Sequence, residues 1–227
     1  MKHLNDYITE KLKINSNTIT YTERPKSIDR LRDILEERLK EDKNANLNDI
    51  DVSGITEMGN LFYKLDPHNI DISQWDVSNV TTMIHMFDDC PNFNSDLSQW
   101  DVSNVAFFGM MFGNCKSFNC DLSNWNMSNA KNITYMFTKC ENFNSDLSKW
   151  DVSNITHMDY MFYKCKKFNS DLSNWDVSNL KSCPYMFGSC ISLDQDFSNW
   201  NLIGNVQTYK MFDNCTSMKN IPNWYKG

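Results

Sequence analysis

An α/β fold is what this 227-residue sequence predicts: a curved solenoid carrying one short parallel strand and one short helix in each 25-residue repeat, closed by an α-helical N-terminal cap. Three observations lead there. Tryptophans stand at 75, 100, 125, 150, 175 and 200, and Met-Phe pairs begin at 86, 111, 136, 161, 186 and 211, all in steps of 25. Each repeat holds two spacings of apolar residues, one suited to a strand and one to a helix. The first 46 residues have no repeat but show helical patterning.

The head divides into parts. "LNDYITEKL" sets Leu4, Tyr7, Ile8 and Leu12 on one helical face, and residues 1–14 are a candidate docking or targeting peptide. "TITYTE" has the composition of a short strand. "SIDRLRDILEERLKE" offers Ser27 as N-cap, Ile28, Leu31, Leu35 and Leu39 on an inward face, and a Glu36–Lys40 pair outside. Residues 1–46 thus read as a helical cap, because stacked repeats need their open ends covered. The repeats occupy 47–220 and a short tail 221–227. The register reaches back into "DIDVSGITEMGNLF", where Ile50, Val52 and Phe62 stand for Trp75, Val77 and Phe87.

Within a unit, "DLSQWDV" reads as a strand with Leu97, Trp100 and Val102 as its apolar points, flanked by Asp and Ser that suit tight turns. "SNVTTMIHMFDDC" places Val80, Met83, Met86, Phe87 and Cys90 at intervals of three and four, a helical face with Ser78 or Asn79 as N-cap. One such unit cannot bury its apolar side, whereas stacked copies can. Strands pack about 4.8 Å apart and helices about 8–10 Å, so the stack is expected to curve with strands on its inner side.

The repeated polar and sulfur residues read as structure. The cysteines at 90, 115, 140, 165, 190 and 215 lack the clustered pairs of zinc sites and suit core packing. Cys183 takes a core position, and Cys120 a turn position with some exposure. The asparagine rows 79–179 and 94–169 suit backbone groups at turns, and the aspartates 96, 121, 146, 171 and 196 suit turn capping. The tryptophans suit a core or partly buried role.

Composition excludes several functions. Lys and Arg total 22 against 29 Asp and Glu, a net charge of −7, which argues against general nucleic-acid binding. No apolar run approaches a membrane span. "MKHLNDYITEKLKI" lacks an apolar signal core, so the expectation is a soluble chain that the general secretory route does not export. There is no phosphate-binding glycine loop, and His3, His68, His85 and His157 stand at unrelated repeat positions. The chain is therefore expected not to be an enzyme, with no catalytic, cofactor or metal residues.

Function is expected where the repeat varies. Ten residues after successive tryptophans come His85, Met110, Tyr135, Tyr160, Tyr185 and Lys210, a row predicted to point outward. Lys139 and Lys164 follow two of the tyrosines by four residues, with Lys166 and Lys167 beyond them, while Asp88 and Asp89 mark an acidic end. Tyr135, Tyr160, Tyr185, Lys139, Lys164, Lys166 and Lys167 are the candidate partner-binding residues, since aromatic rings beside cations suit protein interfaces.

The repeat "MFxxCxxFNxDLSxWDVSNVTxM" resembles the BspA-like leucine-rich repeats, in the version found in mycoplasma-type and gut-bacterial proteins and described as a domain of unknown function. The likeness spans roughly residues 47–215. It implies a leucine-rich-repeat-like solenoid and a binding role. Residues 1–10 also resemble the head-targeting signal of phage internal proteins, through Met1, Lys2, Leu4, Asp6, Tyr7, Ile8 and Glu10. The expected function is a non-catalytic protein–protein interaction scaffold, cytoplasmic in a bacterial or phage-infected cell, with a protein partner and neither nucleic acid nor membrane. The alternatives are a surface adhesin exported by a non-standard route, and a phage virion or host-modulating inhibitor protein.

Overall fold

The structure, a computed structural model, describes residues 19–227, so the peptide readings for residues 1–14 and 1–10 lie outside it. One α-helix is present among the described residues, α1, Ile28–Glu41. Ser27 caps it as predicted, its side chain accepting from the Arg30 backbone N–H at 3.3 Å. Leu31, Ile34, Leu35 and Leu39 are buried. Glu36 pairs with Arg32 at 3.0 Å rather than with Lys40. The same guanidinium donates to the carbonyls of Asn60, Leu61 and Tyr63, and Lys43 donates to that of Leu65. The first repeat's outward carbonyls are thus satisfied by this head. "TITYTE" contributes a single parallel bridge, Glu23 to Ile50.

The repeats themselves overturn the expected fold class. They contain neither a helix nor a strand among the described residues, so there is no strand-and-helix leucine-rich-repeat solenoid. Parallel pairing is confined to isolated single-residue bridges, such as Glu57–Thr82–Phe107–Asn132 and His157–Ser182–Gln207. These fall where a helix was expected, and the "DLSQWDV" segment is turn. The expected curvature rested on the different spacings of strands and helices, and that basis disappears with them.

What forms instead is a polygon of tight turns. Backbone N–H groups reach back three residues: Trp100 to Leu97, Val105 to Val102, Met111 to Phe108, Cys115 to Phe112 and Phe118 to Cys115. Each of these turns starts and ends on a buried residue. The first and fourth residues of a turn lie on one side of the chain, so consecutive turns bury residues at intervals near three. That spacing imitates a helical face. The repeated Asp-Leu-Ser and Asp-Val-Ser triplets initiate the corners: the Ser98 and Ser103 N–H groups donate to the carboxylates of Asp96 and Asp101 at 2.9 and 3.0 Å.

Alternate amides leave the coil. Met83, His85, Phe87 and Asp89 donate to the carbonyls of Phe107, Gly109, Met111 and Gly113 in the next coil, while Met86 and Asp88 donate within their own. From Cys183 to Cys190 every N–H has a partner, Pro184 having none to offer. In the last coil Met211, Asp213 and Cys215 keep their inner bonds, but the N–H groups of 208, 210, 212 and 214 find no acceptor among the described residues.

Side chains make the coils adhere in register. Each indole N–H from Trp75 to Trp200 donates to a carbonyl 28 residues earlier, at 2.9–3.0 Å. The thiols of Cys90, Cys115, Cys140, Cys165, Cys190 and Cys215 do likewise, each to the carbonyl of a phenylalanine at 2.9–3.1 Å. Asn79, Asn104, Asn129, Asn154 and Asn179 donate to serine carbonyls 26 residues back. Phe87, Phe112, Phe137, Phe162 and Phe187 stack at 5.6–5.7 Å, far closer than the roughly 8–10 Å that helices need. Met86, Phe87 and their counterparts through Phe187 are wholly buried. Each such side chain contributes about 1.5–3 kcal/mol, and the gain recurs in every coil.

Candidate functional site

Two positions per coil adopt a left-handed backbone. The first row is Asn60, His85, Met110, Tyr135, Tyr160, Tyr185 and Lys210; the second is Lys64, Asp89, Asn114, Lys139, Lys164, Ser189 and Asn214, with φ between 50° and 62° throughout. Each first-row residue is the third of a turn, as Tyr160 is between Met158 and Met161. A positive φ there is the signature of turns that favour glycine or asparagine, and Pro184 before Tyr185 suits the same geometry. A bulky residue in this region costs of order 1–2 kcal/mol. Asn60 shows that the repeat accepts the less strained residue. Three successive coils nevertheless carry tyrosine there.

The left-handed turn, and not a helix, is what aims these side chains outward. Tyr135 and Tyr160 stack with ring centroids 4.8 Å apart and planes 6° from parallel; Tyr160 and Tyr185 follow at 4.9 Å and 14°. Tyr163 meets Tyr160 and Tyr185 edge-on, at 5.4 and 6.1 Å. Tyr209 meets Tyr185 edge-on at 5.6 Å. Gly188 makes room for this arrangement: a Cβ there would lie 3.0 Å from the Tyr163 ring and 3.3 Å from that of Tyr185. Tyr135 and Tyr209 are exposed, while Tyr160, Tyr163 and Tyr185 are half-buried by one another. Burial pushes the Tyr135 phenol up, with Asp159 adding to it, and burial followed by the neighbouring tyrosines does the same to Tyr160.

The predicted cations divide. The Lys164 ammonium sits 5.0 Å from the Tyr163 ring centroid, inside the cluster. Lys139 is exposed in the adjacent coil, and its backbone N–H donates to the Tyr163 carbonyl at 2.6 Å. Lys166 is drawn away to Glu141 at 2.7 Å, and Lys167 is exposed with its backbone on the Glu141 carbonyl. Tyr163, Gly188, Tyr209 and the placement of Lys210 over Tyr185 and Tyr209, at 5.9 and 5.5 Å, were missing from the predicted set. Tyr185 and Tyr209 raise the pKa of Lys210, and Asp213 adds to this. The usable signal is a tyrosine three residues after Tyr160 of the row, faced by Gly188 one coil later. At the acidic end, Asp88 is tied to His85 at 2.8 Å and Asp89 to Asn114 at 2.6 Å.

Other chemistry is sparse. All eight cysteines are unpaired, and burial raises the Cys90 thiol to about 12 and Cys120 to about 11. Cys120 is half-buried and its sulfur accepts from the Leu97 N–H at 3.1 Å. No group of three His, Cys, Asp or Glu among the described residues is arranged to hold a metal ion. A recess of about 540 Å³ at the last coil is lined by residues such as Leu202, Val206, Tyr209 and Trp224, with no acid, histidine or cysteine in its wall. No helix among the described residues is long and apolar enough to cross a membrane.

Comparison with curated proteins finds no match. A family model described as "Mycoplasma protein of unknown function, DUF285" matches twice, over residues 32–148 and again over 121–224. The overlap of the two matches reflects the internal period, since either can be laid along the same coils. Between them they take in the second half of α1 and nearly all the stacked turns, and the chain therefore belongs to the DUF285 family of mycoplasma proteins of unknown function.

Proposed function

We propose that this chain is a non-catalytic protein-binding scaffold whose contact surface is the tyrosine ridge of residues 135, 160, 163, 185 and 209 with Lys139, Lys164 and Lys210. The observation that carries this reading is the retention of three tyrosines at left-handed turn positions where Asn60 is tolerated. The stacking regains part of that strain, and it leaves ring edges and hydroxyls turned to solvent. Tyrosine suits such a role because it offers large rigid area and a polar tip. The eight unpaired thiols favour a reducing, intracellular setting. The finer likeness to BspA-like repeats agrees with binding as the general role.

The test compares tagged wild-type protein with a Tyr135→Asn/Tyr160→Asn/Tyr185→Asn variant in affinity capture from the native cell. Asparagine tolerates the backbone, so the melting temperature should move by only a few degrees while partner recovery drops at least tenfold. Equal recovery of the same partner by both proteins rejects the ridge.

A further inference from the structure

We propose that the ridge recognises an acidic polypeptide segment, its carboxylates seated on Lys139, Lys164 and Lys210 and on the row of tyrosine hydroxyls. This rests on the reading of the ridge as the binding surface, and adds the chemistry of the partner. The stacked rings cover one another's faces at 4.8–4.9 Å, so a ligand meets edges and hydroxyls rather than open aromatic planes. Ring edges carry the positive end of the quadrupole, and phenol hydroxyls donate hydrogen bonds; both favour an anion.

The cations are free to serve it. None of Lys139, Lys164 and Lys210 has a carboxylate within ion-pair distance among the described residues, whereas Lys166 and Lys219 are paired with Glu141 and Asp194. Lys164 and Lys210 lie over tyrosine rings, which keeps both ammonium groups within the ridge without a carboxylate at ion-pair distance. The acids nearby are engaged or set to one side: Asp159 accepts from the Ser182 hydroxyl, and Asp213 lies beside Lys210. On a chain of net charge −7, three lysines outside ion-pair distance of any described carboxylate, set among five tyrosines, form a locally basic patch. An acidic segment complements it, while the surrounding negative charge repels the long phosphate backbone of a nucleic acid.

The experiment measures fluorescence anisotropy of labelled poly-L-glutamate titrated with the full chain, at low and at physiological salt. A Gly-Ser peptide and a duplex DNA of similar length serve as the other probes. Poly-L-glutamate should bind at least tenfold more tightly than either, with affinity falling as salt rises. A Lys139→Gln/Lys164→Gln/Lys210→Gln variant should lose about tenfold, and Tyr135→Phe/Tyr160→Phe/Tyr185→Phe, which keeps the stack, about threefold. Circular dichroism of both variants should match the wild type. Binding of poly-L-glutamate no tighter than of the Gly-Ser peptide, tighter binding of DNA, or an unaffected lysine variant each overturns the proposal. In those cases capture with the asparagine variant still decides separately whether the ridge binds a partner.

Discussion

At the scale of single residues, the repeated side chains act as fasteners between one coil and the last. The indole of Trp150 is nearly wholly buried and donates to the Leu122 carbonyl at 2.9 Å. Trp150→Phe keeps much of the apolar bulk but removes one of that carbonyl's two donors, the Trp125 N–H remaining, so stability should fall by about 0.5–1.5 kcal/mol in denaturant unfolding. The six thiols at 25-residue spacing, Cys90 to Cys215, combine packing with a donated hydrogen bond, each to a phenylalanine carbonyl. Burial holds Cys90 at about 12 and Cys120 at about 11, so alkylation at pH 8 should be slow everywhere in the native protein. The half-buried Cys120 and Cys215 should be modified first in a mass-spectrometric time course. Modification of Cys115 or Cys140 ahead of them would contradict the assigned core.

At the scale of elements, α1 is a seal for the first coil. Arg32→Ala would leave the carbonyls of Leu61 and Tyr63 without their donor, while that of Asn60 keeps the Tyr63 N–H. A loss of about 1.5–3 kcal/mol is expected, centred on the N-terminal coils in hydrogen exchange. The helix was legible because Ser27 and the spacing of Leu31, Leu35 and Leu39 agree with one another. The 25-residue period and the buried set were legible too, because Trp, Met-Phe and Cys recur without slippage. The local conformation was not. Chained turns place their first and fourth residues inward, and from Val80 to Cys90 that pattern is indistinguishable by spacing from a helix. The left-handed residues that separate the two, His85 and Asp89, are neither glycine nor asparagine and gave no warning. The ridge was half legible: the tyrosine row follows from the period, but Tyr163 and Gly188 meet only through the one-coil offset. Because the coil is the unit, deleting residues 131–155 should leave a cooperatively folding protein with a modestly lower melting temperature. Deleting residues 131–142 alone should abolish the transition, since it breaks every ladder at once.

At the scale of the whole molecule, stability should be limited at both ends of the pH range by the same ladders. Buried thiols have raised pKa values, so the folded chain holds their protons more firmly than the unfolded chain. Their contribution is complete below about pH 9 and is lost as pH climbs toward about 12. The corner carboxylates of Asp96, Asp101 and Asp146 are shifted the other way, by the serine N–H and hydroxyl donors they hold. Their contribution is present above the usual aspartate range and disappears as pH falls through their lowered values, so thermal unfolding should show a broad plateau between these limits. The central claim is that coils of turns, joined amide by amide to the next coil, carry the fold and hold the ridge in line. Residue-resolved amide exchange by NMR tests it most directly. From Cys183 to Cys190 every amide should exchange slowly, whereas in the last coil 208, 210, 212 and 214 should exchange faster than the 211, 213 and 215 amides they alternate with. Slow exchange in one unbroken block from 208 to 215, as a helix would give, contradicts it.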